Sequence, residues 1–376
     1  MKKLISITML TLLVAVTLIS QPGCEKEAED STSEPNRWLE LLNIVPANDN
    51  TLKAVYLNDR EYLIEKTEQY PQIPLEYAIG KVHPLTGARY YDAEEWKETL
   101  TFTLEDVKQS IYAGITPSNY YEAVRADFSR EEVDNAMRTG PLNDILEIMS
   151  YQGHEFYSWG GDNEMDFSRR SFVRPLGKGH RLALLNDFLF WVTWTDGLKE
   201  MIDSYDDRID SLADVEEYKL LADGLAELDV CTAFFSTQSQ SHSSITEWLQ
   251  QYPSFNYDCP EEYQRFLESI EETVYLEPYQ AFATGAGLDE HGFYMAIVLV
   301  NPDEEAARSN ATLLEQRINQ TESVWRGLQW SDLIESMEIQ SEGRLTLASL
   351  YGPICEYWTW FDMYSSGQYE PLLVYE

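Results

Sequence analysis

The feature that most restricts this chain is a series of short apolar runs joined by gaps too small for anything but a reversal. Residues 181–185 (RLALL) and 188–194 (FLFWVTW) are separated only by Asn186-Asp187. Runs this short, rich in aromatic and aliphatic residues, suit strands, and a two-residue gap headed by Asn suits a tight hairpin. Two more pairs follow the same grammar. Residues 279–284 and 293–300 (FYMAIVLV) are expected to reverse around Gly285–Gly287, and residues 337–340 and 344–350 through Ser341-Glu342-Gly343. Hairpins commit their strands to antiparallel pairing, which a strictly alternating parallel α/β protein does not use.

Further strands are expected at 52–57 (LKAVYL), 75–80 (LEYAIG), 120–126 (YYEAVRA), 154–159 and 228–235. Between them lie helix signals. Ser129 with Glu132 three residues later has the spacing of a capping box, and Gly140 closes that helix. Asn301-Pro302-Asp303-Glu304 combines an Asn cap with Pro at the first helical position. Helices are also expected at 195–205, 215–225 and 243–251. Helices set between strand pairs predict an α+β fold, with largely antiparallel sheets and helices packed on one face.

The order of elements recurs. Gly179-His180-Arg181-Leu182-Ala183-Leu184 is echoed by Gly343-Arg344-Leu345-Thr346-Leu347, and Glu76-Tyr77-Ala78-Ile79-Gly80 by Ala281-Phe282-Ala283-Thr284-Gly285. These echoes predict two related units, 37–226 and 227–376, as a duplication of ferredoxin-like form; chance recurrence of common hairpin–helix grammar is the alternative. With 376 residues, 44% of them hydrophobic, there is material for cores of that size.

Charge narrows the function. The chain carries 65 acidic against 27 basic residues, a formal net charge of −38. A surface this negative repels phosphate, so nucleic acid is excluded as a partner unless a basic face compensates, and no such cluster is expected. There is no G-x-x-x-x-G-K-[ST] loop, no G-x-S-x-G elbow and no H-E-x-x-H pair, and of the five histidines all except His154 fall in turn-like or polar contexts.

The N-terminus supplies an address. Met1-Lys2-Lys3 precedes an apolar run over 4–19, followed by Ser20-Gln21-Pro22-Gly23-Cys24. This is the layout of a bacterial export signal, and the run is shorter than the roughly 20 residues a spanning helix needs. Gly23-Cys24 resembles the lipobox of bacterial lipoproteins, with Gln21 where that motif carries Leu, Val or Ile. The resemblance implies that residues 1–23 are removed and that Cys24 carries the lipid, of palmitate type, that anchors the chain to the membrane; ordinary signal cleavage and an uncleaved anchor are the alternatives. Residues 24–36 then form an acidic tether (CEKEAEDSTSEPN) without large apolar side chains. Over these first 36 residues the chain is similar to uncharacterised bacterial exported lipoproteins, which implies a cell-envelope location facing the extracytoplasmic side and does not imply an activity.

Candidate site residues are few. Asp162, Glu164 and Asp166 alternate in a loop after Gly160-Gly161, a spacing that can wrap calcium, although the loop lacks the EF-hand glycine and terminal Glu. No other cofactor is expected. Asp203, Asp206, Asp207, Asp210 and Asp214 would form one hydrated helix stripe. For the cysteines, a Cys259–Cys355 disulfide with Cys231 as a buried free thiol stands beside three unpaired core cysteines. Trp191 and Trp194 are expected on opposite faces of one strand. Tyr357, Trp358, Trp360, Phe361 and Tyr364 could line a glycan groove, against the ordinary reading as core. The leading functional reading is a non-enzymatic binding or interaction protein; the alternatives are a solute-binding lipoprotein of a transporter and a secreted carboxylate-dependent hydrolase.

Overall fold

One antiparallel sheet of twelve strands organises the molecule. The computed structural model describes residues 36–71, 94–115, 119–171, 174, 177–241, 274–323, 328–352 and 370–374, all within one compact unit. The strands are β1 (Val55–Asp59), β2 (Val107–Ala113), β3 (Tyr121–Ala126), β4 (Glu147–Tyr151), β5 (His154–Trp159), β6 (His180–Leu185), β7 (Phe188–Val192), β8 (Val230–Ser236), β9 (Gln240–Ser241), β10 (Ala281–Asp289), β11 (Gly292–Val300), β12 (Glu322–Ser323), β13 (Leu328–Gln329), β14 (Ser336–Glu342), β15 (Leu345–Tyr351) and β16 (Leu373–Val374). Twelve of them share the order β14-β15-β11-β10-β8-β1-β2-β3-β7-β6-β5-β4, and β9–β16 and β12–β13 form two small ribbons. Helices are α1 (Arg37–Leu42), α2 (Arg60–Gln69), α3 (Glu94–Leu100), α4 (Arg130–Thr139), α5 (Thr195–Tyr205), α6 (Glu216–Glu227), α7 (Glu304–Gln320) and α8 (Trp330–Leu333).

The antiparallel α+β expectation holds, with two corrections. The halves meeting near 226 do not carry separate sheets: β1 and β8 pair with each other, Tyr56 opposite Phe234, and join both halves in one layer. Nor are the helices confined to one face. Ala296, Val298 and Val300 of β11 enter the core beneath α6, while Met295, Ile297 and Leu299 enter a second core beneath α7. Successive strand residues point to opposite faces, so the cores lie on opposite sides. On the first side α1, α5 and α6 cover the sheet. On the second, α7 and α8 cover one end and α3 and α4 the other, where Leu100, Val133 and Met137 pack on Leu182, Leu184 and Trp191. A strand buried on both faces reads as continuous apolar sequence, which explains FYMAIVLV and FLFWV.

Local signals fare unevenly. Ser129 accepts from the Glu132 N–H and Gly140 closes α4, as read from the sequence. The β6–β7 hairpin turns at Asn186, which adopts a φ of 52°. The β10–β11 hairpin, however, turns at Glu290-His291, and Gly285 and Gly287 lie inside β10. A Cβ on Gly285 would lie 2.7 Å from the Thr232 carbonyl oxygen of β8, and one on Gly287 would meet the Tyr294 ring. These glycines permit close approach within the sheet and do not mark a reversal. The cap of α7 is Asp303, which accepts from the Ala306 N–H. Asn301 is instead buried, donating to Arg344 O, Leu299 O and Thr346 Oγ1 and accepting from Asn310. Trp191 lies in β7 against α3 and α4, and Trp194 caps α5 on the other side, beyond the strand's end.

Candidate functional site

Among the described residues, neither α7 and α8 nor α3 and α4 reach the middle of the second sheet face. A single cross-strand row can be followed through the register, running Ile339, Ala348, Ile297, Thr284, Phe234, Tyr56, Tyr112, Glu122, Trp191, Leu182 and Tyr157. Helices α7 and α8 cover its first part and α3 and α4 its last. Between them, Tyr112, Tyr120 and Glu122 belong to neither core, and Tyr56 only borders the first. The rings there touch: Tyr56–Phe234 centroids are 4.8 Å apart, Tyr56–Tyr112 5.8 Å, and Tyr112–Tyr120 5.0 Å in a stacked pair. Beside this row runs a polar one, in which Thr232 Oγ1 donates to Asn58 Oδ1 at 2.6 Å and Asn58 Nδ2 to Ser110 Oγ at 3.4 Å. Buried polar groups on a central sheet face are costly unless satisfied, and apolar side chains fill the equivalent space elsewhere in this molecule.

Glu122 is the anomaly. It is only 5% exposed, and no described residue hydrogen-bonds or ion-pairs with its carboxyl. Burial alone pushes its pKa up to about 8, so near neutral pH it is predominantly a protonated acid. Burial likewise pushes Tyr56 up to about 12 and raises Tyr112 and Tyr120 well above the ordinary tyrosine range, with the Glu122 charge adding to the last two. Counted outward from the β1–β8 pair, the position matching Glu122 is Ile297, that matching Tyr112 is Thr284, and that matching Trp191 is Ala348. The sheet does not require an acid at this place.

A basic segment adjoins the site. Residues 167–186 hold five of the chain's cations (Arg169, Arg170, Arg174, Lys178, Arg181) and no acid. Arg174, Lys178 and Arg181 are buried; Arg174 is held by the Gly177 and Lys178 carbonyl oxygens, and burial followed by the nearby Arg169 charge lowers its pKa. Lys178 Nζ lies 6.0 Å from the Tyr120 ring. His180 is not in a turn-like setting: it opens β6, fully buried between Trp159 and Trp191 at 5.9 and 4.5 Å, and burial lowers its pKa to about 3. It is therefore a neutral part of the wall behind Trp191.

The structure sends the carboxylates picked from sequence to separate tasks. Asp162 Oδ1 accepts from Thr195 N and Oγ1 at 2.9 and 2.8 Å and pairs with Arg181 at 2.6 Å, capping α5 from a distant loop. Glu164 accepts from the Gly161 N–H, while Asp166 accepts from Ser168 and pairs with Arg169. Among the described residues no group of three or more His, Cys, Asp or Glu is arranged to hold a metal. The acidic stripe is not one helix face, because α5 ends at Tyr205. Asp203 accepts from Tyr151 and Arg208, Asp206 meets His154 and Arg208, and Asp214 forms a capping box with Ser211. An open groove of about 420 Å³ beside α4 is lined by Arg130, Asp134, Arg138, Glu155 and Tyr157, with Arg138 already clasped by Asp134 at 2.8 Å. Cys231 is a buried free thiol, its pKa pushed up to about 12 by burial. Cys24, Cys259, Cys355, the helix at 243–251, the strand at 75–80 and the aromatic run at 357–364 lie outside the described residues.

Fold and site together define an α+β protein built on one wide antiparallel sheet, with an aromatic strip on one face centred on a buried acid. No protein-family model and no curated protein matches the chain. Among solved structures it has a distant resemblance to the Treponema protein TP0453. Crystal form III gives a TM-score of 0.38 at 9% identity, covering 83% of this chain and 93% of that one. Form I gives 0.37 at 10% identity over 85% and 96%, and form IV 0.36 at 9% over 84% and 96%. This is a likeness of general shape, and no activity follows from it.

Proposed function

We propose that the protein is an exported binding protein, lipid-tethered through Cys24 to a bacterial membrane, which takes a small ligand on the aromatic strip around Glu122. The tether reading rests on the signal-like and lipobox-like residues 1–24 and the acidic segment after them. The binding reading rests on one observation: a buried carboxyl without a partner among the described residues, beside part-buried tyrosines, at a position where the other half of the sheet has Ile297. Acid–base catalysis needs a second group within hydrogen-bond reach, and among the described residues Glu122 has none, which favours recognition over hydrolysis. Nondenaturing mass spectrometry of protein extracted gently from its own membrane tests both parts. The expected species carries a diacylated Cys24 and a small bound molecule that the Tyr112→Ala variant loses. An unmodified N-terminus contradicts the tether, and a ligand-free spectrum from wild type contradicts binding.

A duplication is part of the same reading. Outward from the centre the strands run β1-β2-β3-β7-β6 on one side and β8-β10-β11-β15-β14 on the other, with α4 and α7 following the third strand of each. Superposition of the halves in an experimental structure, strand for strand, is the expected outcome; a mismatch of strand directions contradicts it.

A further inference from the structure

We infer that the ligand of this strip is a small organic ammonium ion, with Glu122 as its counter-ion and the tyrosine rings as its walls. The inference deepens the binding reading above and rests on it. Four observations converge. Among the described residues of the strip Glu122 alone can carry charge at ordinary pH, and no described residue supplies it with a cation. The rings of Tyr56, Tyr112 and Tyr120 are part-buried and form a contiguous aromatic wall beside that acid, Tyr112 touching both of the others. Ring faces attract ammonium groups most strongly where water is partly excluded. One ring of the strip already has a cation near it, Lys178 Nζ at 6.0 Å from Tyr120. Finally, the net charge of −38 draws cations towards the body and repels anions.

Competing classes fit less well. A hard metal ion requires six or more oxygen ligands, or several with retained water, and the strip offers one carboxyl among phenols. A neutral apolar ligand would be served better by Ile at 122, as at Ile297. An anion would meet an acid.

Binding carries a proton balance. With Glu122 protonated in the free protein, entry of R–NH₃⁺ converts Glu–COOH to Glu–COO⁻ paired with the ammonium, and one proton leaves to solvent. The groups facing Glu122 do not take part: Tyr56, Tyr112 and Tyr120 titrate far higher, and His180, behind Trp191, far lower. Lys178, whose Nζ lies 6.0 Å from the Tyr120 ring, has its pKa lowered by burial.

The test is calorimetric titration of the full folded protein with n-butylammonium chloride and tetramethylammonium chloride, against sodium chloride at equal ionic strength. It is run at pH 7 in two buffers of different ionisation enthalpy and repeated at pH 6. The inference expects saturable binding by at least one of the two ammonium probes, about one proton released per ligand, and affinity falling about tenfold per pH unit below the Glu122 pKa. Glu122→Gln should lose about tenfold or more, Tyr112→Phe should keep most of the affinity, and Tyr112→Leu should not. Circular dichroism and melting verify that each variant is folded. Equal responses to sodium and ammonium, or affinity unchanged in Glu122→Gln, would overturn the ammonium inference. If the native ligand found by mass spectrometry is neutral and is lost in Tyr112→Ala but kept in Glu122→Gln, the strip is a binding site and only its ligand class is overturned.

Discussion

Replacing Glu122 by Gln should remove one large, localised component of the protein's pH dependence. In the unfolded chain this carboxyl ionises near its ordinary value of 4.5, whereas in the folded sheet burial holds it near 8. Between those values the folded state keeps a proton that the unfolded chain has released. Stability therefore falls with rising pH across that window, by about 1.4 kcal/mol per unit, and levels off above pH 8. Over the whole window the loss reaches roughly 5 kcal/mol, an upper figure because water entry and local relaxation soften the penalty. Gln keeps the size and the polarity but cannot ionise. Urea unfolding followed by tryptophan fluorescence, at half-unit steps from pH 4.5 to 9 and constant ionic strength, gives the two profiles. The background from the other 64 acidic residues is common to both and cancels in the difference. Relative to wild type, the variant should gain about 2–5 kcal/mol between pH 5 and pH 8. Parallel profiles would refute the reasoning, because they would mean that Glu122 is ionised or solvated in the native sheet at neutral pH.

Three further outcomes follow from individual contacts. Asp162→Ala removes the acceptor for Thr195 and leaves buried Arg181 without its partner, and should cost about 1–3 kcal/mol by urea unfolding, discounted because the Asp162 side chain is 48% exposed. Asn301→Ala removes the buried amide's bonds to the Arg344 and Leu299 carbonyls, Thr346 Oγ1 and Asn310, the last two groups keeping other partners, and should cost about 1–3 kcal/mol, lowering the melting temperature by a few degrees. Cys231 should resist alkylation in the native protein and react only on unfolding, as peptide mapping after iodoacetamide treatment would record; rapid native labelling would contradict its burial.

Much of the sheet was legible because its strands are buried on both faces and its turns are short. His154–Trp159 and Thr195–Tyr205 stand where the sequence pattern puts them, and Asn186 takes the left-handed conformation the β6–β7 gap requires. Two strands were not legible. β2 (VKQSIYA) interrupts its apolar pattern with Gln109 and Ser110, which serve Asp59 and Asn58 on neighbouring β1, so the reason for its polarity is long-range. β4 (EIMSY) is an edge strand exposed over most of its length and has little burial pattern to read. The strand holding Glu122 was recognised, yet the acid itself was lost among 65 carboxylates. Period-two counting puts Tyr120, Glu122 and Val124 on one face, and an acid in the middle of such a series is a local inconsistency of the kind functional sites produce. The acid-free stretch 167–186 was equally readable against so negative a background. What no local pattern could supply was the register that lines up Tyr56, Tyr112, Glu122 and Trp191 across four strands distant in sequence.

Recognition at the strip turns on the state of that one carboxyl and on what approaches it. Carbon-13 NMR of protein labelled at the glutamate carboxyl carbon, with Glu122 assigned by the Gln variant, reads both directly. The expected signal titrates near pH 8 in the free protein and moves to lower pH on addition of n-butylammonium. A signal that titrates near 4.5, or one near 8 that the ammonium leaves in place, would contradict the account.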